Sequence, residues 1–454
     1  MPGDEVDVIV IGLGPGGEEV AERLAEAGLS VIGVEEHLVG GECPYYGCIP
    51  SKMMVRAADL LAEARRVDGM AGRATVEADF APVARRIRAE ATDDWNDRVA
   101  IERFEKLGGR FVRGHGTLDG PGRVRVGDQV FRARRGVVVA TGTAPAVPPI
   151  PGLADVPYWT NRDAVKAEKA PASLVVLGGG AIGAEMTQAF ARFGSKVTLV
   201  EAEDRILAME EPEASEVVTK VMRDEGIDVR AGRKAVRVAM EGKDIAVDLD
   251  DGSRTQGERL LVATGRRPNL AGLGLGTVGL DEGAHSVKVD GRMRAAEKLW
   301  AIGDITGCGL FTHVAVYQAR ILIADILGRE VTPGEYRALA GVTFTDPEVG
   351  RVGMTEAHAR AAGLRVRVGS VEVRKVSRGW IHGPGNAGVI KVIEDVDRSV
   401  LVGATSVGPC GGEVLAVLTL AVHAEVPVRT LRTMHYAFPT FHRGVLDALA
   451  ALEK

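Results

Sequence analysis

Cys43 and Cys48 lie five positions apart in Gly40-Gly41-Glu42-Cys43-Pro44-Tyr45-Tyr46-Gly47-Cys48-Ile49-Pro50-Ser51-Lys52. A pair so close admits zinc binding, inert burial or redox chemistry. Zinc would require two further ligands in a second cluster, and the remaining cysteines, Cys308 and Cys410, are isolated. Four cysteines in 454 residues are also too few for a structural disulfide framework. On an ideal helix, Cα atoms five residues apart are about 8 Å from each other. That is beyond disulfide reach, so a bridge needs a distorted turn. Pro44, Gly47 and Pro50 supply the irregular backbone such a turn requires. A reversible disulfide is the favoured chemistry; two buried thiols without chemistry are the plain alternative.

The elements that must position this pair carry one theme twice. Val6 to Gly12 is a short β-branched run ending in glycine, the pattern of a buried parallel strand. Gly12, Gly14 and Gly17 form G-x-G-x-x-G, a helix is expected over roughly 16–27, and Leu29 to Val34 is a second strand ending at Glu35. The first glycine permits the tight turn, the second lets backbone N–H groups approach a pyrophosphate, and the third lets helix and strand pack closely. The theme returns with a strand at Leu174–Leu177, then Gly178, Gly180 and Gly183, and a strand at Lys196–Val200 before Glu201. Glu35 follows Gly17 by 18 residues, and Glu201 follows Gly183 by 18. One such fingerprint is weak evidence; two with matching flanks imply two bound dinucleotides.

Length and composition are consistent with a soluble protein of two to four domains. With 56 basic and 62 acidic residues the formal charge is −6, which argues against a nucleic-acid or anionic-membrane partner held by net charge. The first residues lack the basic and apolar regions of a signal peptide, and no apolar run is long enough to span a bilayer. A cytoplasmic location is expected.

The cysteine segment resembles G-G-x-C-x-x-x-x-C-x-P-S-K, the active-site motif of the class I pyridine nucleotide-disulfide oxidoreductases, the family of dihydrolipoamide dehydrogenase, glutathione reductase and mercuric reductase. Ala140-Thr141-Gly142 is similar to that family's return strand from the FAD domain, and Ala263-Thr264-Gly265-Arg266-Arg267-Pro268-Asn269 to the exit from its NAD(P) domain. Ala301-Ile302-Gly303-Asp304 resembles its second FAD motif, and Val342 to Gly353 the start of its dimerisation domain.

The resemblance implies an α/β chain with two Rossmann-like domains and a C-terminal α+β dimerisation domain. The FAD domain would cover 1–150, completed by 271–335; the NAD(P) domain 151–270; the interface domain 336–454, giving a homodimer. It implies no metal. Hydride from the nicotinamide would reach the flavin, and electrons would pass to the disulfide through Cys48, leaving Cys43 as the thiol that meets substrate. Lys52 matches the lysine beside the flavin and Glu185 its carboxylate partner. FAD would be held by Gly12, Gly14, Gly17, Glu35, Glu36, Gly41, Lys52, Gly116, Thr141, Gly142, Asp304 and Thr312. The nicotinamide nucleotide would be held by Gly178, Gly180, Gly183, Glu201 and Gly265. A carboxylate at Glu201 favours the free ribose of NAD over the 2′-phosphate of NADP; Glu203 and Asp204 add negative field, and Arg205 opposes it.

The pattern breaks near the C-terminus. Family reductases carry a stretch resembling H-x-H-P-T-x-x-E, whose second histidine and glutamate supply acid–base catalysis across the dimer. Here Phe438 replaces the histidine and Arg443 the glutamate. A phenyl ring carries no proton, and such catalysis is commonly worth about 10²- to 10⁴-fold. Three enzymatic outcomes are open. The acid in disulfide reduction is His435, Tyr436, His442 or water, or the substrate has a good thiolate leaving group. Alternatively a quinone-like acceptor takes electrons from the flavin, or the thiols cleave an unusual carbon–sulfur bond, as in 2-ketopropyl-coenzyme M oxidoreductase/carboxylase, which also has phenylalanine there. A decayed FAD-binding scaffold is the non-enzymatic alternative, and the intact Cys43, Cys48, Lys52 and Glu185 argue against it. The C-terminal thiol pair of mercuric reductase and large thioredoxin reductases has no counterpart after Cys410. Three local expectations complete the picture. Glu42 raises the pKa of Cys43; residues 59–108 are largely helical and line the dimer near the disulfide; Phe438-Pro439 is cis.

Overall fold

The computed structural model describes residues 5–453, so Met1–Asp4, which bear on the absence of a leader, lie outside the described residues. The chain divides into two compact units. One comprises the chain up to Pro50, Arg85–Ala146 and Arg266–Glu335; the other comprises Ser51–Ala84, Val147–Gly265 and the chain from Tyr336 onward. Relative to the three segments expected from the sequence, residues 51–84 group with the second unit, which also holds both the second nucleotide fold and the C-terminal segment. The boundary at Ala146/Val147 falls beside the stiff run Pro148-Pro149-Ile150-Pro151.

The first unit is built on an eight-stranded sheet. Its central strands, Gln129–Val139, Glu5–Ile11 and Val31–Glu35, pair in parallel, with Ile11 opposite Val139 and Val10 opposite Gly33. Burial on both faces explains the continuous β-branched runs. One face carries the helices Pro15–Glu26, Arg98–Lys106 and Thr312–Ile326, with Val8, Val10, Leu24, Phe104 and Leu322 in the core between. The second unit repeats the parallel arrangement in four strands, ordered Asp228–Ala231, Lys196–Glu201, Ser173–Leu177, Arg259–Val262. It also contains a five-stranded antiparallel sheet whose middle strands, Val389–Asp395 and Val400–Gly408, are buried throughout. Helices Gly411–His423 and Gly444–Ala450 pack on that sheet through Leu415, Leu418, Val445 and Leu449. The α/β class and the positions of both βαβ units agree with the sequence.

Residues 59–108 depart from the helical expectation. The helix that starts at Cys48 ends at Arg65, and the chain becomes helical again only at Ala81–Arg86. Gly69 and Gly72 adopt φ of +79° and +133° in between, a conformation no helix accommodates. A single π-helical turn at Ile87–Ala91 and the helix Arg98–Lys106 follow. Among the described residues no helix is long and apolar enough to cross a membrane.

Candidate active site

The two nucleotide folds show why each glycine stands where it does. A Cβ on Gly12 would lie 2.5 Å from the carbonyl oxygen of Ala140, and one on Gly17 would lie 1.9 Å from that of Gly12. The second copy repeats this, with Gly178 2.4 Å from the Ala263 oxygen and Gly183 1.8 Å from that of Gly178. Gly14 and Gly180, the middle glycines, face open space. Each also caps a 12-residue helix, Pro15–Glu26 or Ala181–Arg192, with no side chain bonded to the first turn. Those amides and the positive helix end are a ready phosphate site.

The acidic residues obey the same symmetry. Glu35 accepts from the N–H of Leu13 (2.8 Å), between the first two glycines, and from His37 (2.8 Å). Glu201 accepts from Gly179 (2.5 Å) and Glu203 (2.8 Å). Each carboxylate is thereby fixed at the mouth of its glycine loop with lone pairs left for a ribose diol. Arg205 lies 3.5 Å from the Asp204 carboxylate, offsetting part of its negative field, and also donates to the carbonyls of Ala208 (2.8 Å) and Glu210 (3.3 Å).

Other residues expected to hold FAD also lie in the first unit. Asp304 accepts from the Thr143 hydroxyl at 2.6 Å, and burial raises its pKa. Gly41, at φ +65°, places its Cα where a Cβ would come 2.8 Å from Gly14. Thr141 and Gly142 are clasped to Asn269, through Thr141 Oγ1 to the Asn269 carbonyl (2.9 Å) and the Asn269 N–H to the Gly142 carbonyl (3.0 Å). Glu36 is exposed and bonded to the His115 ring at 3.0 Å, which lowers its pKa. Gly116 packs under the sheet, where a Cβ would meet Ile11 at 3.0 Å and Val34 at 3.1 Å. In the second unit Gly265 takes φ +136° just after the strand Arg259–Val262.

The cysteine turn has the distortion that bridging demands. A short helix, Glu42–Tyr45, ends at Tyr46, and a new helix, Cys48–Arg65, begins at the second cysteine. Both sulfurs are thiols and hydrogen-bonded to one another. Cys48 Sγ lies 3.5 Å from Thr312 Oγ1, in the first turn of the 15-residue helix Thr312–Ile326. The hydrogen bond with Cys48 and burial push the Cys43 thiol well up, against a smaller downward pull from Thr312. Glu42 does not act as the sequence suggested. It pairs with Arg266, 3.3 Å away, and the leading causes of the raised Cys43 thiol are Cys48 and burial. Arg266 also donates to Thr143 Oγ1 (2.7 Å), so Glu42 and Asp304 are joined through two side chains. The family motif contains Arg266, but its partner is distant in sequence and was not legible there.

In the second unit, Lys52, one helical turn after Cys48, meets Glu185 at 2.7 Å. Glu185 is buried and also accepts the Phe344 N–H at 2.9 Å, while the Lys52 ammonium lies 4.7 Å from the Phe344 ring. Phe344 has no signal in sequence beyond its place in the matched C-terminal motif.

At the C-terminal turn the candidate acids have unlike surroundings. Phe438 is 70 % exposed, and the peptide that joins it to Pro439 is cis. Tyr436 is buried in the C-terminal core, its hydroxyl without a partner among the described residues and its pKa raised by burial. His442 is half-buried against Tyr436 and within 3.4 Å of the Thr440 hydroxyl; His435 is exposed. Arg443 pairs with Asp447 at 3.1 Å. Cys308 is half-buried and Cys410 exposed; among the described residues no cluster of three or more His, Cys, Asp or Glu is placed to hold a metal.

The pattern described as pyridine nucleotide-disulphide oxidoreductase matches residues 6–319, and its dimerisation domain matches residues 339–449. The chain belongs to this family. It is 33% identical to a dihydrolipoyl dehydrogenase of Thermus scotoductus over 99% of this chain and 97% of that one. It is 29% identical to a mercuric reductase of Staphylococcus aureus, over 99% and 83% of the two chains. Among solved structures, the HOCl-induced flavoprotein disulfide reductase RclA from Escherichia coli superposes with a TM-score of 0.86 at 26% identity, covering 98% of this chain and 99% of that one. The protein is thus an FAD-dependent pyridine nucleotide-disulfide oxidoreductase with a dimerisation domain.

Proposed function

We propose that this homodimeric enzyme uses NADH to reduce a small-molecule disulfide through Cys43 and Cys48, without a histidine acid. The observation that carries the reading is the meeting of both thiols at a break between two helices, with Cys48 in contact with the first turn of a third. Bound FAD would supply the two-electron relay between the nicotinamide and the Cys43–Cys48 disulfide. The chain's own groups then decide which sulfur does what. Cys48 begins one helix and touches the N-terminal turn of another, and both helix dipoles favour a thiolate there. Cys43 keeps its proton longer, held by Cys48.

Transfer of that proton to Cys48 leaves Cys43 able to attack a substrate sulfur, forming a mixed disulfide and displacing one thiolate. Cys48 releases that proton to water and, as thiolate, attacks the Cys43 sulfur, re-forming the internal disulfide and displacing the second thiolate. Each departing thiolate must leave unaided or take a proton from water, because Phe438 has none to give. Substrates whose thiols are acidic are therefore favoured. Glu201, fixed by two amides at the mouth of its glycine loop, favours NADH.

The test is an acceptor series read with NADH and NADPH: lipoamide, small disulfides graded by the acidity of their thiols, and quinones. Faster turnover with more acidic leaving thiols, lost in Cys43→Ser, is the expected result. Quinone reduction that survives Cys43→Ser, with no turnover of any disulfide, would replace this reading with direct electron exit from the flavin.

A further inference from the structure

The bridge between Cys43 and Cys48 depends on a break in the helix, and the break has a holder. Tyr45 ends the helix Glu42–Tyr45, so its carbonyl is one that a helix terminus leaves to be satisfied from outside. The indole N–H of Trp95 donates to that oxygen at 3.2 Å. Asn96 follows, its carbonyl 3.5 Å from the Tyr45 hydroxyl, and the carboxylate of Asp97 accepts the N–H of Val39 at 2.8 Å, on the other side of the cysteine motif. Three successive residues thus grip the segment from both ends, all within the first unit.

The grip is built from an unusual backbone. Asp93, Asp94 and Trp95 adopt φ of 46°, 54° and 57° in succession, in the left-handed region that non-glycine residues rarely enter. They follow a π-helical turn at Ile87–Ala91, where Thr92 anchors its hydroxyl on the Ile87 carbonyl at 3.0 Å. Left-handed runs and π turns persist where surrounding contacts over-determine them, and they gather at functional sites. Here the conformation has an evident product: it turns the indole toward Tyr45 rather than away.

We propose that Trp95 is a positioning residue for the redox couple, its indole N–H capping Tyr45 and holding the helix break that lets the two sulfurs bridge. The inference rests on Cys43 and Cys48 being that couple. Without the cap, the Tyr45 carbonyl is free to take the Ile49 N–H, four residues on, as in a continuous helix. In that form the sulfurs separate, and the dithiol gains on the disulfide. Pro50 resists part of this change, because its ring clashes with the carbonyl of Tyr46, so the shift is limited.

The experiment equilibrates purified, FAD-loaded enzyme with graded dithiothreitol buffers and reads Cys43 and Cys48 by alkylation and mass spectrometry. Trp95→Phe keeps a ring and removes the donor. It is expected to favour the dithiol by about 3- to 10-fold, the range of one hydrogen bond; tenfold is about 30 mV for a two-electron couple. Flavin reduction by NADH is expected to stay at its original rate, a split that general loosening would not produce. If Trp95→Phe loses FAD, the same measurement uses 3-benzothienylalanine at position 95, which preserves the indole shape without the N–H. An unchanged equilibrium in whichever variant holds FAD overturns the role of Trp95 and leaves the redox pair intact. Failure of Cys43 and Cys48 to exchange with the buffer in the unaltered enzyme overturns the redox pair itself.

Discussion

The cysteine turn and the C-terminal turn are the two places where this family does thiol chemistry, and here they differ sharply. At the first, polar groups meet specific partners. Thr312 meets Cys48, Arg266 meets Glu42, and Trp95 meets Tyr45. At the second, a phenyl ring lies 70 % exposed, a tyrosine hydroxyl is buried with no partner, and Arg443 is paired with its own helix through Asp447. On the proposed reading, the electron path is retained and the family's proton path is not. Moving electrons onto a disulfide needs close sulfurs, whereas releasing the product thiol needs a proton donor. The two demands are physically separable, so a chain can retain one and drop the other.

The largest test of that separation is Cys48→Ser. It should lower disulfide reduction by at least about a thousandfold, as removal of an essential nucleophile does, while FAD stays bound. Measured disulfide turnover near the original rate would end the comparison, because the intact half would then be idle. Next in size is the reconstruction of the second half. Phe438→His with Arg443→Glu should raise turnover of disulfides with poorly acidic thiols by up to about a hundredfold. The gain should fade as pH rises through the imidazole pKa, because only the protonated ring can donate. A pH profile with no such limb would show that the proton path is blocked elsewhere.

A smaller effect concerns the support of the intact half. Glu185→Gln leaves the Lys52 ammonium without its charged partner and should cost about 1.5–3 kcal/mol of stability, measured by urea unfolding. The smallest is a pH effect in the same helix. Burial foremost, and the nearby carboxylates of Asp346 and Glu348, raise Asp59 to about 6, against the pull of Arg192. The folded chain therefore binds this proton more tightly than the unfolded one, and the group's contribution to stability falls as pH rises from about 4 to 6. Asp59→Asn should flatten unfolding curves over that window by about 1 kcal/mol.

Both glycine fingerprints were legible because their roles are local. A turn that brings Gly12 against the Ala140 carbonyl excludes a Cβ whatever the rest of the molecule does. Strand and helix followed from β-branched runs and spacing for the same reason. The need for a broken helix between Cys43 and Cys48 was also readable, from helix geometry and from Pro44, Gly47 and Pro50. The sense of Glu42 was not. Adjacency to Cys43 suggested that this carboxylate raises the thiol; the thiol is raised, but foremost by Cys48 and burial, while Glu42 pairs with Arg266, over two hundred residues on. The helical look of residues 59–108 misled similarly: composition there is helix-like, while Gly69 and Gly72 decide the break.

The amino-acid order alone determined the two nucleotide folds, the thiol pair and the loss of a proton donor at residues 438 and 443, since each is a property of residue type and short spacing. The tertiary structure alone decided what fixes those groups: Arg266 on Glu42, Phe344 on Glu185, Trp95 on Tyr45. Hydrogen bonds and ion pairs act over a few ångströms of space, and distance along the chain places no bound on which residues folding brings that near.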